Sequence, residues 1–330
     1  MKSPTGPKWG YSPFGYCWGE RQLWVVARYN GGSIPARKGA AMMKLDDCRY
    51  DGKGTFKIAD HPTSAKISKS DRPHIEELME KNIEHMIELQ DKLYAQGTEG
   101  IVILIQAMDA AGKDGTIKHV MSGLNPQGVK VYSFKQPSKE ELAHDYLWRA
   151  VCALPERGEI CLYNRSYYED VLIVRVRGLW HNYAMPKRCL DMSEKDFFDL
   201  RYRQIVNFED LLYENGYRLV KIFLNLGFDE QKKRFLARID EPAKNWKFSA
   251  GDLDERDLWP QYMDAFEAAI NATSTKRNPW YVIPADQKFF ARYLVSEAVV
   301  EALEACDPQY PQLSEEDLAE LEACRARLEA

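Results

Sequence analysis

Residues 101–118 read Ile-Val-Ile-Leu-Ile-Gln-Ala-Met-Asp-Ala-Ala-Gly-Lys-Asp-Gly-Thr-Ile-Lys. A strand-like apolar run passes into small residues, then Gly112-Lys113, then a helix-forming stretch. A phosphate-binding loop is assembled in this order. Small residues let backbone N–H groups turn inward around oxyanions, the following helix start adds positive potential, and the lysine supplies a point charge. The segment departs from GxxxxGK[ST] twice. Ala107 stands in place of the first glycine, and Asp114 in place of the hydroxyl residue that would ligate Mg²⁺. Asp109 inside the loop repels phosphate unless a cation lies between them, so one reading makes Asp109 a Mg²⁺ ligand. The other reading is an ordinary strand–helix turn capped by Asp109.

Two further clusters bear on that choice. Glu159-Ile-Cys-Leu-Tyr-Asn-Arg-Ser-Tyr-Tyr-Glu-Asp ends a buried strand at Asn164 and delivers Arg165, Glu169 and Asp170 at its carboxyl end, where open parallel sheets bind ligands. An arginine grips oxyanions bidentately, and acids hold Mg²⁺ or its waters; a surface salt-bridge cluster is the plainer alternative. Farther on, Gln231, Arg234 and Arg238 share one face of a helix, followed by Lys244 and Lys247. Such cations suit a mobile lid that covers a transferring phosphoryl group and excludes water. Alone they would be a solvated helix face. The three clusters together point to phosphoryl transfer.

The elements that must position these groups alternate. Strands are expected at 101–107, 129–134, 159–164, 218–224 and 280–284, with helices at 139–150, 194–215 and 230–239 between them. Strands separated by crossover-length helices predict an α/β fold with a parallel sheet covered on both faces. Upstream, Ile75, Leu78, Met79, Ile83, Met86, Leu89 and Leu93 form one stripe of a helix from Pro73 to Gln96, stopped by Gly97. A final amphipathic helix is expected over 314–328, with Ser314 and Asp317 at capping-box spacing. Residues 42–311 read as one phosphotransferase domain with a lid near 229–258, and 312–330 as the C-terminal helix. Residues 1–41, rich in Gly and Pro with Glu20 as the lone acid, read as a disordered arm or as an upstream extension of the reading frame before Met42 or Met43.

Composition sets outer limits. The chain has 330 residues, 45 Lys plus Arg against 50 Asp plus Glu, and a net charge of −5. That argues against a nucleic-acid coat while leaving room for a local basic channel. No apolar run approaches the length of a membrane helix. Seven cysteines, an odd number with no CxxC pair, and six scattered histidines give no disulfide framework and no zinc signature, and fit a reducing cytoplasm.

Several motifs together resemble the family-2 polyphosphate kinases, which share a thymidylate-kinase-like P-loop fold. They are Gln106-Ala-Met-Asp-Ala-Ala-Gly-Lys-Asp-Gly115, Asp145-Tyr-Leu-Trp-Arg149, Asn164-Arg-Ser-Tyr-Tyr-Glu-Asp170, Trp246-Lys247 and Pro279-Trp-Tyr-Val-Ile-Pro-Ala-Asp286. The resemblance spans residues 45–311. It implies transfer of the terminal phosphoryl group of inorganic polyphosphate to AMP or ADP, reversibly and with Mg²⁺ held at Asp109 and Asp170. Asp109, Lys113, Arg165, Asp170, Arg234 and Arg238 would carry the chemistry. Ala110, Ala111, Gly112, Asp114, Gly115, Asn164 and Glu169 would bind nucleotide or phosphate, and Lys113, Arg165, Lys244 and Lys247 the polyphosphate. Glu169 resembles the subgroup that accepts both AMP and ADP. The resemblance also implies a homo-oligomer, a dimer or tetramer, with no nucleic-acid or membrane partner. An ATP-dependent nucleoside monophosphate kinase and a non-catalytic nucleotide or polyphosphate sensor are the rival readings.

Overall fold

The computed structural model describes residues 42–330, and the expectation for residues 1–41 lies outside them. Six strands form one sheet: β1 (Arg49–Tyr50), β2 (Gly100–Gln106), β3 (Val129–Ser133), β4 (Ile160–Asn164), β5 (Tyr217–Asn225) and β6 (Trp280–Pro284), in the order β1-β6-β5-β2-β4-β3. Every pairing is parallel except β1 with β6. The mostly parallel α/β sheet expected from the alternation is thus present, with one short antiparallel edge.

The central strand shows why its sequence carries no polar alternation. All seven residues of β2 are buried. Ile101, Ile103 and Ile105 face one core, with Leu89 and Leu93 from the helix below and Leu294. Val102 and Leu104 face the other, with Phe198, Ile205 and Phe266. A strand covered on both faces has no solvent side to mark.

Seven α-helices of eight or more residues are present among the described residues: α1 (Arg72–Gln96), α2 (Lys113–Val120), α3 (Glu194–Glu214), α4 (Phe228–Asp240), α5 (Trp259–Thr273), α6 (Lys288–Ala305) and α7 (Glu315–Glu329). Helix α1 starts with Pro73 in its first turn and stops at Gly97, whose φ of 63° is left-handed. In α7 the capping box forms as expected, since Ser314 Oγ accepts from Asp317 N–H (3.1 Å) and Asp317 Oδ2 accepts from Ser314 N–H (3.2 Å).

One expected helix is broken. Residues 139–150 form a 3-10 turn at Glu141–Ala143 and a short helix at Trp148–Val151. Asp145 interrupts them by accepting the Leu147 N–H on its side chain at 2.9 Å, a local bond that competes with helix continuation. Helices α5 and α6 lie outside the helical stretches expected from the sequence. Helix α6 buries Phe290, Ala291, Leu294, Val295, Ala298, Val299 and Leu303, a spread too wide to leave a clean apolar stripe. No helix among the described residues is long and apolar enough to cross a membrane.

Strand β2 is the switch point of the sheet. The chain leaves it toward β3 and β4 on one side and returns to β5 and β6 on the other. The crevice outside its carboxyl end is where an open α/β sheet takes a ligand.

Candidate active site

The loop between β2 and α2 makes its turn with two left-handed residues, Ala110 (φ 61°) and Gly112 (φ 107°). Glycine is required at 112 by backbone conformation rather than by space, because an added Cβ would meet nothing closer than Arg234 Nη1 at 3.8 Å. Ala110 adopts its conformation at a cost of about 1 kcal/mol. The fold holds it there: Arg234 Nη1 donates to the carbonyls of Ala110 (3.1 Å) and Ala111 (2.7 Å). Lys113, buried at the start of α2, folds back over the turn and donates to the carbonyls of Ala107 (2.9 Å) and Met108 (3.3 Å). Burial first, and the nearby Arg165 second, push its pKa down to about 8.

The second loop is tied to the first. Past β4, the Arg165 N–H donates to the Ile105 carbonyl (3.1 Å) of β2, and Arg165 is itself left-handed at φ 65°. Its guanidinium spans two acids, with Nη2 2.7 Å from Asp109 Oδ1 and Nη1 3.2 Å from Glu169 Oε2. These carboxylates, Glu169 foremost, hold the arginine strongly in its charged form. Asn164 Nδ2 donates to Asp114 Oδ1 (2.7 Å), which joins the end of β4 to the first turn of α2. Arg165, Asp109, Glu169 and Asp114 are the charges that act on Lys113. The structure therefore gathers Asp109, Lys113, Asp114, Asn164, Arg165 and Glu169 at the carboxyl edge of β2 and β4.

Asp170 is not among them. The 3-10 turn Tyr167–Val171 sends consecutive side chains in different directions. Glu169 turns to Arg165, and Asp170 is buried against Arg201 of α3, with Oδ2 2.8 Å from Arg201 Nε, while Tyr183 donates its hydroxyl to Oδ1. The Asp170–Arg201 contact is close, but its angles do not make a hydrogen bond, so the attraction is that of an ion pair. Burial raises the Asp170 pKa against the opposing pull of Arg201. The Asp170 oxygens, expected to share a metal with Asp109, face Arg201 and Tyr183 in this structure and not Asp109. Arg201 was readable in principle, as an arginine on the otherwise apolar stripe Phe197, Phe198, Tyr202 and Ile205 of α3.

Over the loop sits a cap made of α4, the 3-10 turn Pro242–Lys247 and the short helix Gly251–Asp257. Gln231 Nε2 donates to the Asp109 carbonyl at 2.9 Å. Arg234, expected as a cation for the transferring group, is buried and instead cements the loop: besides Ala110 and Ala111 it donates through Nη2 to the carbonyls of Ala285 (2.7 Å) and Asp286 (3.0 Å) and pairs with Glu230 (3.0 Å). Arg238 donates to the Lys247 carbonyl (3.1 Å) and pairs with Asp252 (3.3 Å). Asp252 was not anticipated. Burial and the proximity of Asp109 raise its pKa, which places the cap's inner acid near the loop. Lys244, paired with Glu241, and Lys247, whose ammonium stands 4.9 Å from the Trp246 ring centre, lie exposed on the outer turn.

Residues 68–311 match the family described as Polyphosphate kinase 2. An ADP-polyphosphate phosphotransferase of Rhodopseudomonas palustris is 49% identical over 268 residues, 81% of this chain and 92% of the relative. An AMP/ADP-polyphosphate phosphotransferase of Meiothermus ruber is 43% identical over 270 residues, 82% of this chain and 96% of the relative. Among solved structures, polyphosphate kinase 2 from Arthrobacter aurescens TC1 superposes with a TM-score of 0.76 at 36% identity, over 86% of this chain and 98% of that one. With the loop, the arginine hub and the cap in the arrangement above, this chain belongs to the polyphosphate kinase 2 family.

Proposed function

We propose that the protein transfers the terminal phosphoryl group of inorganic polyphosphate to AMP and to ADP. The observation that carries the reading is the meeting of Lys113, Arg165 and Asp109 at the switch point of the sheet. A phosphate oxygen of the acceptor attacks the terminal phosphorus in line, the anhydride bond to the donor breaks, and the donor leaves one phosphate shorter. One phosphoanhydride replaces another, so the step is readily reversible and needs no strong base. Positioning and charge neutralisation supply most of the acceleration in such transfers.

Lys113 has three N–H groups, of which two are engaged by Ala107 and Met108; the third is available to a phosphate oxygen. Arg165 is pre-oriented by Asp109 and Glu169, so little side-chain entropy is lost when it grips an oxyanion. The cap excludes water, which would otherwise compete with the acceptor.

Among the described residues no group of three or more His, Cys, Asp or Glu is arranged to hold a metal. Mg²⁺ commonly needs only one or two carboxylates and completes its shell with substrate phosphates and water. Asp109 fits that role, and a bound ion would supply charge neutralisation at the phosphates. Acceptance of both AMP and ADP rests on Glu169. The two relatives above differ on this point, one named for ADP and one for AMP and ADP.

The test incubates the purified protein with Mg²⁺, polyphosphate and either AMP or ADP in ATP-free buffer, and resolves the nucleotides by chromatography. Phosphorylation of both acceptors is the expected result. Product from ADP alone would remove the role given to Glu169. Transfer to AMP from ATP but not from polyphosphate would replace the donor.

A further inference from the structure

Strand β2 is apolar from Ile101 to Ile105 and ends on Gln106, whose side chain is 1% exposed. A hydrocarbon side chain would fill that place more cheaply, because a buried amide must regain in protein hydrogen bonds what it loses in water. Gln106 regains it on the neighbouring turn. Its side-chain oxygen accepts from the Ser166 N–H and Oγ, both at 3.0 Å, and its amide nitrogen donates to Glu169 Oε1 at 2.9 Å. The main chain makes the same crossing one residue earlier, where the Ile105 carbonyl accepts from the Arg165 N–H at 3.1 Å. Ser166 Oγ in turn accepts from the Tyr168 N–H at 3.2 Å, so the amide is wired into the turn that carries Glu169. Gln90, equally buried, shows the plainer use of such an amide: it donates to the Asn125 carbonyl at 2.9 Å and accepts from the Asn125 N–H at 2.8 Å. Gln106 reaches past backbone to an acid of the site.

The consequence falls on the Glu169 carboxylate. Its Oε2 faces Arg165 Nη1 at 3.2 Å, a long contact, and its Oε1 is held by Gln106. Without the amide the carboxylate is free to rotate, and Arg165 is left to its contact with Asp109 at 2.7 Å. Such rotation matters to the choice of acceptor. AMP carries one phosphate fewer than ADP, so with AMP the cations of the site face one oxyanion fewer. A carboxylate fixed beside Arg165 supplies that charge from the protein, whereas ADP brings its own.

We infer that Gln106 is a positioning residue: it fixes Glu169 against Arg165 and thereby sets how well the protein uses AMP relative to ADP. The inference rests on the acceptor role given to Glu169 above.

The experiment measures kcat and KM for AMP and for ADP with polyphosphate and Mg²⁺, together with melting temperatures. It uses the full chain as wild type, Gln106→Met, Gln106→Glu, Glu169→Gln, and Gln106→Met combined with Glu169→Gln. Methionine matches glutamine in length and removes both polar ends. Glutamate keeps an oxygen for the Ser166 N–H and turns an acceptor toward Glu169 in place of the donor, so it cuts that contact alone. Each Gln106 variant lowers kcat/KM for AMP about tenfold more than for ADP. The combined variant shows the same AMP-to-ADP ratio as Glu169→Gln alone, because Gln106 acts through Glu169. Equal losses with both acceptors mark a structural amide and overturn the inference, as does a ratio that falls further in the combined variant. A ratio moved by Glu169→Gln but by neither Gln106 variant overturns the inference alone. A wild type that phosphorylates only ADP, or a Glu169→Gln variant with the wild-type ratio, removes the role given to Glu169 and the inference with it.

Discussion

Asp109 and Arg165 meet at 2.7 Å across the carboxyl ends of two neighbouring strands, β2 and β4. Each belongs to a turn that uses a left-handed residue without being glycine there: Ala110 follows Asp109, and Arg165 is itself at φ 65°. Left-handed backbone costs about 1–2 kcal/mol per residue and persists where surrounding bonds over-determine it. Here those bonds are Arg165 N–H to the Ile105 carbonyl and Arg234 to the Ala110 and Ala111 carbonyls. The strain therefore holds an acid and a guanidinium in direct contact at the carboxyl edge of the sheet.

Arg165→Lys tests whether that fixed fork matters. Lysine suffers the same backbone strain at 165 as arginine, so the folded state changes little, but it cannot reach Asp109 and Glu169 together as a planar fork does. The expected result is a fall in kcat of about 100-fold with a melting temperature close to wild type. A variant that keeps its rate would show that a point charge suffices.

The sequence made β2, the phosphate loop and the residues around Lys113 legible because each is a local pattern: an unbroken apolar run, small residues, then Gly112-Lys113. Arg165 and Glu169 were legible for the same reason, at the end of an equally plain strand. The direction of Asp170 was not, because adjacent residues in a 3-10 turn diverge and only the position of Arg201 on α3 shows where the second acid goes. Arg234 misled for a related reason. An arginine on a charged helix face reads as a lid cation, whereas its burial comes from the 285–286 turn more than fifty residues away. Arg292, whose guanidinium stands over Gly115 in the first turn of α2, lay in a helix whose apolar spread hid its period.

On the proposed function, Lys113 should make polyphosphate binding depend on protons. Its folded pKa of about 8 lies below the ordinary 10.5, so between those values the unfolded chain carries a proton that the folded one lacks. The group's contribution to stability therefore rises as pH climbs from about 8 to about 10.5. A bound phosphate favours the charged ammonium and reverses the shift. Calorimetric titration at pH 8, in buffers of different ionisation enthalpy, should report about half a proton more taken up by wild type than by Lys113→Arg. Equal uptake by the two would remove Lys113 from contact with the phosphate.

Asp170→Asn separates an ion-pair role from a metal role. Asparagine can still accept from Tyr183, but it leaves the guanidinium of Arg201 buried without its counter-charge. Breaking such a pair costs about 3–5 kcal/mol, which corresponds to a melting temperature lower by roughly 10 °C. The Mg²⁺ concentration that gives half-maximal rate stays unchanged. A metal ligand would show the opposite pattern, with a nearly normal melting temperature and a much higher Mg²⁺ requirement.

Beneath the arginine hub, Lys221 of β5 and Glu209 of α3 form a fully buried ion pair at 2.6 Å. Glu209 also accepts the hydroxyls of Tyr167 (2.9 Å) and Tyr168 (2.7 Å), and Lys221 donates to the Thr273 carbonyl (2.7 Å). The two tyrosines immediately precede Glu169, so the pair anchors the turn that carries it. Lys221→Met leaves an uncompensated buried carboxylate and should cost about 3–5 kcal/mol in denaturant unfolding. Glu209→Gln keeps acceptors for both tyrosines while removing the charge. The double variant should therefore lose less stability than the two single losses added together, by about 1–3 kcal/mol. Strictly additive losses would mean that the ammonium is held by Thr273 and the carboxylate by its tyrosines independently, with no energetic link from β5 to the turn bearing Glu169.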